Sequence, residues 1–361
     1  LFPRPVYRVT TAGISSRSSP RKARNSVLIA ATSAPWTAPL TESQHILTLY
    51  FLVIAGLALF AGFVRTWTTR SEVGSRFRPA LVARLCVTAV ASLSYVLLIV
   101  GFTLAYDHTG STWVPNAGAI MTMAPRFMDW SVTVPLLTVE LLAVCTLFGA
   151  GVRKAQFLAM AGSFLMIFTG FLGTFVFGAD GDASQLYLWG AISSVFWIFV
   201  NVVLIRAVRK SLPVLTPESA GLLRDATILL LCGWVIYPLV YIIPIFAFGG
   251  GWTTTIQVTL CVADVLVKIG FGGLIHRVAK LRTAEDVRAG DDVHSEAIWI
   301  SSVKQSDAGQ PREIYLAEGA AVHPNRWRPP TSSAYASAIA AEDDSSTPID
   351  SDENLGERRS H

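Results

Sequence analysis

Apolar runs about as long as a bilayer is thick recur along the chain: Ile46 to Val64, Leu85 to Tyr106, Ala155 to Ala179 and Ala183 to Ile205. Each is close to the roughly 20 residues a helix needs to cross hydrocarbon, so they predict four membrane spans. A fifth run, Ala226 to Ala263, is too long for one crossing. Gly249-Gly250-Gly251 interrupts it, which predicts two helices joined by a tight turn. The stretch from about Ala119 to Phe148 is apolar apart from Arg126, Asp129 and Glu140. A hydropathy count penalises those three charges, whereas a functional reading of charge inside a membrane expects them. The pattern predicts an all-α membrane protein, a seven-transmembrane-helix bundle.

Charge orients the bundle. Arg65, Arg70, Arg76 and Arg78 follow the first span, Arg153 and Lys154 the third, and Arg206, Arg209 and Lys210 the fifth. The alternate loops carry no Lys or Arg, so the basic loops are expected on the cytoplasmic side, with the amino terminus outside and the carboxyl terminus inside. The whole chain is 52% hydrophobic and 15% charged, with a mean hydropathy of +0.48. That balance suits a multi-pass membrane protein, and the net charge of +4 belongs to loops and ends rather than to a nucleic-acid-binding surface. Cys86, Cys145, Cys232 and Cys261 stand singly in apolar spans, expected as core residues, with no metal-binding spacing. Residues 1–42 read as a basic, disordered extension, 43–282 as the seven-helix domain, and 283–361, rich in Ala, Ser, Pro and acids, as a disordered cytoplasmic tail.

The charges inside the spans need a partner or a purpose. Lys268 lies about fifteen residues from either end of its helix, too deep to reach water. It is either half of a buried ion pair or a covalent attachment point, since a desolvated amine condenses readily with an aldehyde. Asp264, four residues earlier, shares its face. Arg126, Asp129 and Glu140 line one stripe of the third helix: eleven residues from Asp129 to Glu140 is within about 20° of three full turns. Two carboxylates at two depths lay out a proton path.

These residues carry a resemblance. RFMDWSVTVPLLTVELL (Arg126 to Leu142) and ADVLVKIGFG (Ala263 to Gly272) resemble the third and seventh helices of microbial rhodopsins. WVIYPLVY (Trp234 to Tyr241), WGAIS (Trp189 to Ser193) and TLYFLV (Thr48 to Val53) extend the likeness over about residues 43–282. It implies all-trans retinal bound covalently to Lys268 as a protonated Schiff base, with Asp129 and Asp264 as counterions and Arg126 organising water beside them. It implies a pocket of Trp130, Trp234, Tyr237, Pro238, Tyr241, Tyr95, Leu137, Met166 and Gly170, with apolar Leu137 matching green-absorbing members. Asp129, Thr133 and Glu140 form a pattern similar to outward proton pumps of the proteorhodopsin and xanthorhodopsin kind: light passes the Lys268 proton to Asp129 and outward, and Glu140 replaces it. Gly190, where xanthorhodopsin also has glycine, implies a side window through which a carotenoid antenna could reach the retinal, or else only allows close helix packing. A homo-oligomer in the lipid bilayer is expected.

Three positions depart from the pattern. Ser94 stands where many proteorhodopsins place a histidine beside the counterion, and the connection between the sixth and seventh helices has no Asp or Glu to release protons early. Arg84 lies at nearly the depth of Glu140. Pairing would favour the ionised carboxylate, whereas snorkelling to the headgroups, the preferred expectation, would leave Glu140 protonated. Two rival functions are a photosensor acting through a partner protein and a retinal-free transporter using Lys268, Asp129 and Asp264 as an ion site.

Overall fold

A computed structural model describes residues 37–147, 149–178 and 183–289. It contains the seven expected helices: α1 (Glu42–Thr68), α2 (Arg78–Leu104), α3 (Ala124–Ala143), α4 (Gly149–Phe171), α5 (Ala183–Ser211), α6 (Pro217–Phe246), and a last rod made of α7 (Gly250–Val265), a π-helical turn (Leu266–Gly270) and α8 (Phe271–Ala289). Six of these are long and apolar enough to cross a membrane. The exception is α3, set apart by Arg126, Asp129 and Glu140. Helices consecutive in the chain pack side by side, and α7 packs on α1 to close the ring.

Local chemistry sets the ends. Thr41 caps α1 in a reciprocal box, accepting from the Gln44 amide at 3.3 Å while the Gln44 side chain accepts from the Thr41 amide at 3.0 Å. Thr216 caps α6, with Pro217 in the first turn. Pro125 starts α3 later than the pattern suggested: the residues before it, Ala117–Thr122, form a 3-10 turn instead. Gly249, with φ +108°, makes the break between α6 and α7 that a side chain would strain. Inside the spans, Thr48, Thr66, Thr88, Thr133, Thr169 and Thr227 each donate to a carbonyl of their own helix, so their hydroxyls need no water.

The outer faces are apolar: Leu57, Phe60, Leu93, Val96, Val195 and Ile198 are among the exposed side chains. A surface of this kind matches lipid rather than water. Two cysteines expected in the core belong to that outer surface, Cys86 and Cys232 being exposed while Cys145 and Cys261 are buried. They are small and apolar enough to face either side, which is why hydropathy could not place them.

The loop after α2, read only as uncharged, is an antiparallel sheet. Strands β2 (Tyr106–Thr109) and β3 (Thr112–Pro115) turn at Gly110, φ +64°, and β3 also pairs with β1 (Leu40–Thr41). Trp113 fixes this cap by stacking on His45 at 3.9 Å and donating to Glu42 at 2.7 Å. Regular structure is thus present at Leu40–Thr41, before residue 43, and the last helix runs past 282 to Ala289. The rest of the expected extension and tail lies outside the described residues.

The described residues form two compact units. The larger is the bundle, up to Arg70 and from Phe77 to Ala279. The smaller joins Ser71–Arg76 to the end of α8, through ion pairs Lys280–Glu72 (2.6 Å) and Arg76–Asp286 (3.3 Å) and a Gly74 amide donating to Thr283.

Candidate retinal site

Lys268 is 1% exposed, in the middle of the π-helical turn. Such a turn inserts one residue into the helical repeat and is frequent at functional sites. Its amine pairs with Oδ2 of Asp129 from α3, and Oδ1 of Asp264 lies 3.6 Å away. Both carboxylates are buried, so the expected trio of Lys268, Asp129 and Asp264 is brought together.

The two acids differ in how they are held. Asp264 accepts from four side chains. On Oδ2 these are Tyr95 (2.9 Å) and Arg126 (3.3 Å); on Oδ1 they are Tyr237 (2.9 Å) and Trp130 (3.2 Å). Asp129 has Lys268 on one oxygen, and its Oδ1 has no hydrogen-bond partner. Thr133, the middle position of the Asp129, Thr133 and Glu140 pattern, donates to the Asp129 backbone carbonyl at 3.0 Å. Ser94 donates to the Pro125 carbonyl at 3.1 Å and makes no hydrogen bond to Asp129.

Arg126 is wholly buried and bonds Asp264 and Tyr95 directly, rather than standing off in water. On α7 it is also held by Cys261, whose Sγ accepts from Nη2 at 3.5 Å, and by Gln257, which accepts from Nη2 at 2.9 Å and donates to the Thr122 carbonyl at 3.3 Å. Sequence reasoning missed Gln257. A glutamine eleven residues before the lysine, three turns along the same face, was the available signal.

From the Lys268 amine a cavity of about 340 Å³ runs between α3, α4, α5 and α6. Its lining includes nine of the expected pocket residues, Trp130, Leu137, Met166, Gly170, Gly190, Trp234, Tyr237, Pro238 and Tyr241. Tyr95 is not among them; its place is on Asp264. Phe127, Val134, Ser193 and Trp197 line it too and were not foreseen. Trp130 and Tyr237 meet edge to face at 5.0 Å beside the amine. The lining is apolar and aromatic with one amine at the end, and the volume falls in the range of small-molecule pockets, so the residues fit a long polyene aldehyde.

At Gly190 the geometry matches the close-packing reading. A β-carbon there would come within 2.9 Å of the Tyr241 ring, so the space the glycine leaves is taken by that ring. Tyr241 is tethered by its hydroxyl, which donates to the Leu186 carbonyl at 3.2 Å.

Glu140 is buried with neither oxygen bonded. Arg84, expected to snorkel, is only 3% exposed, and its Nε has no hydrogen-bond partner. It lies buried in the bundle and does not bond Glu140. The helix position fixed its depth, but not which way its long side chain would lie.

The model of the family described as bacteriorhodopsin-like protein matches residues 44–281. The green-light absorbing proteorhodopsin of Gamma-proteobacterium EBAC31A08 is 26% identical over 260 residues, 70% of this chain and 94% of the relative. Sensory rhodopsin-2 of Natronomonas pharaonis is 27% identical over 70% of this chain and 97% of its own. The crystal structure of xanthorhodopsin, a light-driven ion pump with dual chromophore, superposes with a TM-score of 0.62 at 28% identity, covering 69% of this chain and 98% of that one. The family implies a retinal chromophore. The chain belongs to the bacteriorhodopsin-like family: it is a microbial rhodopsin, a multi-pass protein of the plasma membrane.

Proposed function

We propose that this chain is a light-driven outward proton pump with retinal bound covalently at Lys268. The observation that carries the reading is the unequal pair of acids around that lysine. Asp264 is fixed by four donors and serves as the standing negative charge, whereas Asp129 touches the amine and keeps Oδ1 open to receive a proton. Retinal, when bound, supplies light absorption and an isomerisation that alters the geometry and proton affinity of the Lys268 nitrogen. The residues do the rest. Asp129 accepts the proton on the Arg126 side. Arg126, held by Asp264, Tyr95 and Gln257, provides fixed positive charge that a passing proton must skirt. Glu140, on the other side, has no donor for either oxygen; a buried charge in that state costs several kcal/mol, so the carboxyl is carried protonated, as a donor must be.

Outward direction rests on the basic loops after the first, third and fifth spans, which support an amino terminus outside. The match to sensory rhodopsin-2 supports a second reading, signalling through a partner; the acid at Glu140 favours pumping. An antenna is a lesser part of the proposal, because a carotenoid on α5 would meet Tyr241 at Gly190 before reaching the cavity.

The experiment is to illuminate cells expressing the chain with all-trans retinal while recording medium pH. Acidification abolished by a protonophore and absent in Asp129→Asn is expected. A coloured pigment with no pH change would favour the sensor, and no colour at all would favour a retinal-free transporter.

A further inference from the structure

The reading above leaves Arg84 without a task. It is a buried cation on α2, its Nε has no hydrogen-bond partner, and both oxygens of the buried Glu140 on α3 are in the same condition. No ion pair within 4 Å joins the two. Both nevertheless face one point: a β-carbon on Gly272 would lie 3.1 Å from Nε of Arg84 and 3.2 Å from Oε1 of Glu140. Two atoms so placed, with no contact within 4 Å, are about 4–6 Å apart, a range that contains the roughly 5 Å one water spans with two ordinary hydrogen bonds. Gly272 opens that space on α8, one turn beyond Lys268, on the face of the rod that Glu140 meets.

We propose that Arg84 is a positioning residue for proton donation, acting on Glu140 through a water seated in the notch left by Gly272. The inference rests on Glu140 being the internal donor. Nε–H of Arg84 donates to the water, and the water donates to Oε1. The stand-off serves both halves of the donor's work. Direct contact with a guanidinium would strip the proton from Glu140 in the dark, whereas with no cation nearby the carboxylate left after donation would be a buried, unpaired anion. At one water's remove the neutral acid persists until the Lys268 nitrogen takes its proton. The resulting carboxylate then gains a charge-assisted contact, until a proton from the nearer aqueous phase restores the acid.

The test uses the full-length pigment in lipid, with proton return to the Lys268 nitrogen after a laser flash followed in the visible and the dark-state carboxylic C=O stretch of Glu140 followed in the infrared. Glu140→Gln identifies the band by removing it. Gly272→Ala, which fills the notch, is expected to slow proton return tenfold or more and to raise the C=O frequency by removing a hydrogen bond. Gly272→Ser, with the same β-carbon but a hydroxyl where the water sits, should restore much of both. Arg84→Gln should slow return, and Arg84→Lys should slow it less. If Glu140→Gln slows return but Gly272→Ala changes neither rate nor band, or if Ala and Ser slow it equally, the bridge is wrong and the donor stands. If Glu140→Gln cycles at the native rate, the donor reading fails and the inference fails with it. Should Arg84→Gln fail to give pigment, the Ala and Ser pair decides.

Discussion

Gln257→Met tests how Arg126 is held. The exchange keeps side-chain length and volume while removing the acceptor for Nη2 at 2.9 Å and the donor to the Thr122 carbonyl at 3.3 Å. Gln257 is 2% exposed and Arg126 is completely buried, so solvent does not replace what is lost. Stranding a charged donor costs about 2–3 kcal/mol, and losing the longer neutral bond about 1 more. Arg126 has little slack to offset this, because its Nε already lacks a partner, Nη1 is engaged by Asp264 and Tyr95, and Nη2 keeps only the weak sulfur acceptor of Cys261 at 3.5 Å. The expected destabilisation is roughly 3–4 kcal/mol. Denaturant titration of the pigment in mixed micelles, read as loss of the visible band, measures it, with heat denaturation at one fixed scan rate as a check against irreversibility. A variant within about 0.5 kcal/mol of native, the range of an inert surface change, would mean that Asp264, Tyr95 and Cys261 hold Arg126 without Gln257.

Other outcomes follow from the same contacts. Asp129→Asn should shift the absorption to longer wavelength and abolish transport. Asp264→Asn should chiefly lower stability, by about 3–5 kcal/mol, since it leaves Arg126 buried without its carboxylate; equal colour shifts and equal stability in the two variants would erase the distinction between acceptor and fixed counterion. Leu137 is buried against the cavity, so Leu137→Gln should move the band toward the blue, and an unchanged spectrum would remove it from the tuning set. Gly190→Trp should displace Tyr241, whose ring already lies 2.9 Å from the β-carbon position, and weaken retinal binding even with no carotenoid present. If added hydroxylated carotenoid instead drives pumping in the native chain and not in this variant, the window is real and Tyr241 swings aside.

Most of this arrangement was legible in the sequence because bilayers impose coarse rules. Span length, the glycine break at Gly249 and the charges of α3 are one-dimensional signals, and helical periodicity carried Asp129, Glu140, Asp264 and Lys268 onto facing stripes. What escaped depends on which way a side chain leans. Arg84 and Glu140 were placed at one depth correctly, yet the gap between them depends on the missing β-carbon of Gly272, far away in sequence. The choice at Gly190 between a window and close packing turns on a ring that comes from α6. The β-sheet cap was hidden for a similar reason: its third strand is two residues long and pairs across the chain. Gln257 was uncharged and so drew no notice in a search for charges at bilayer depth.

The central claim is that Lys268 carries the chromophore. Reducing the retinal-loaded protein with borohydride under light, digesting it and mapping the product by mass spectrometry tests this most directly. The account predicts one retinyl adduct, on the peptide containing Lys268, and a colourless but folded Lys268→Ala variant. An adduct on another lysine, or a visible band retained in that variant, would contradict it.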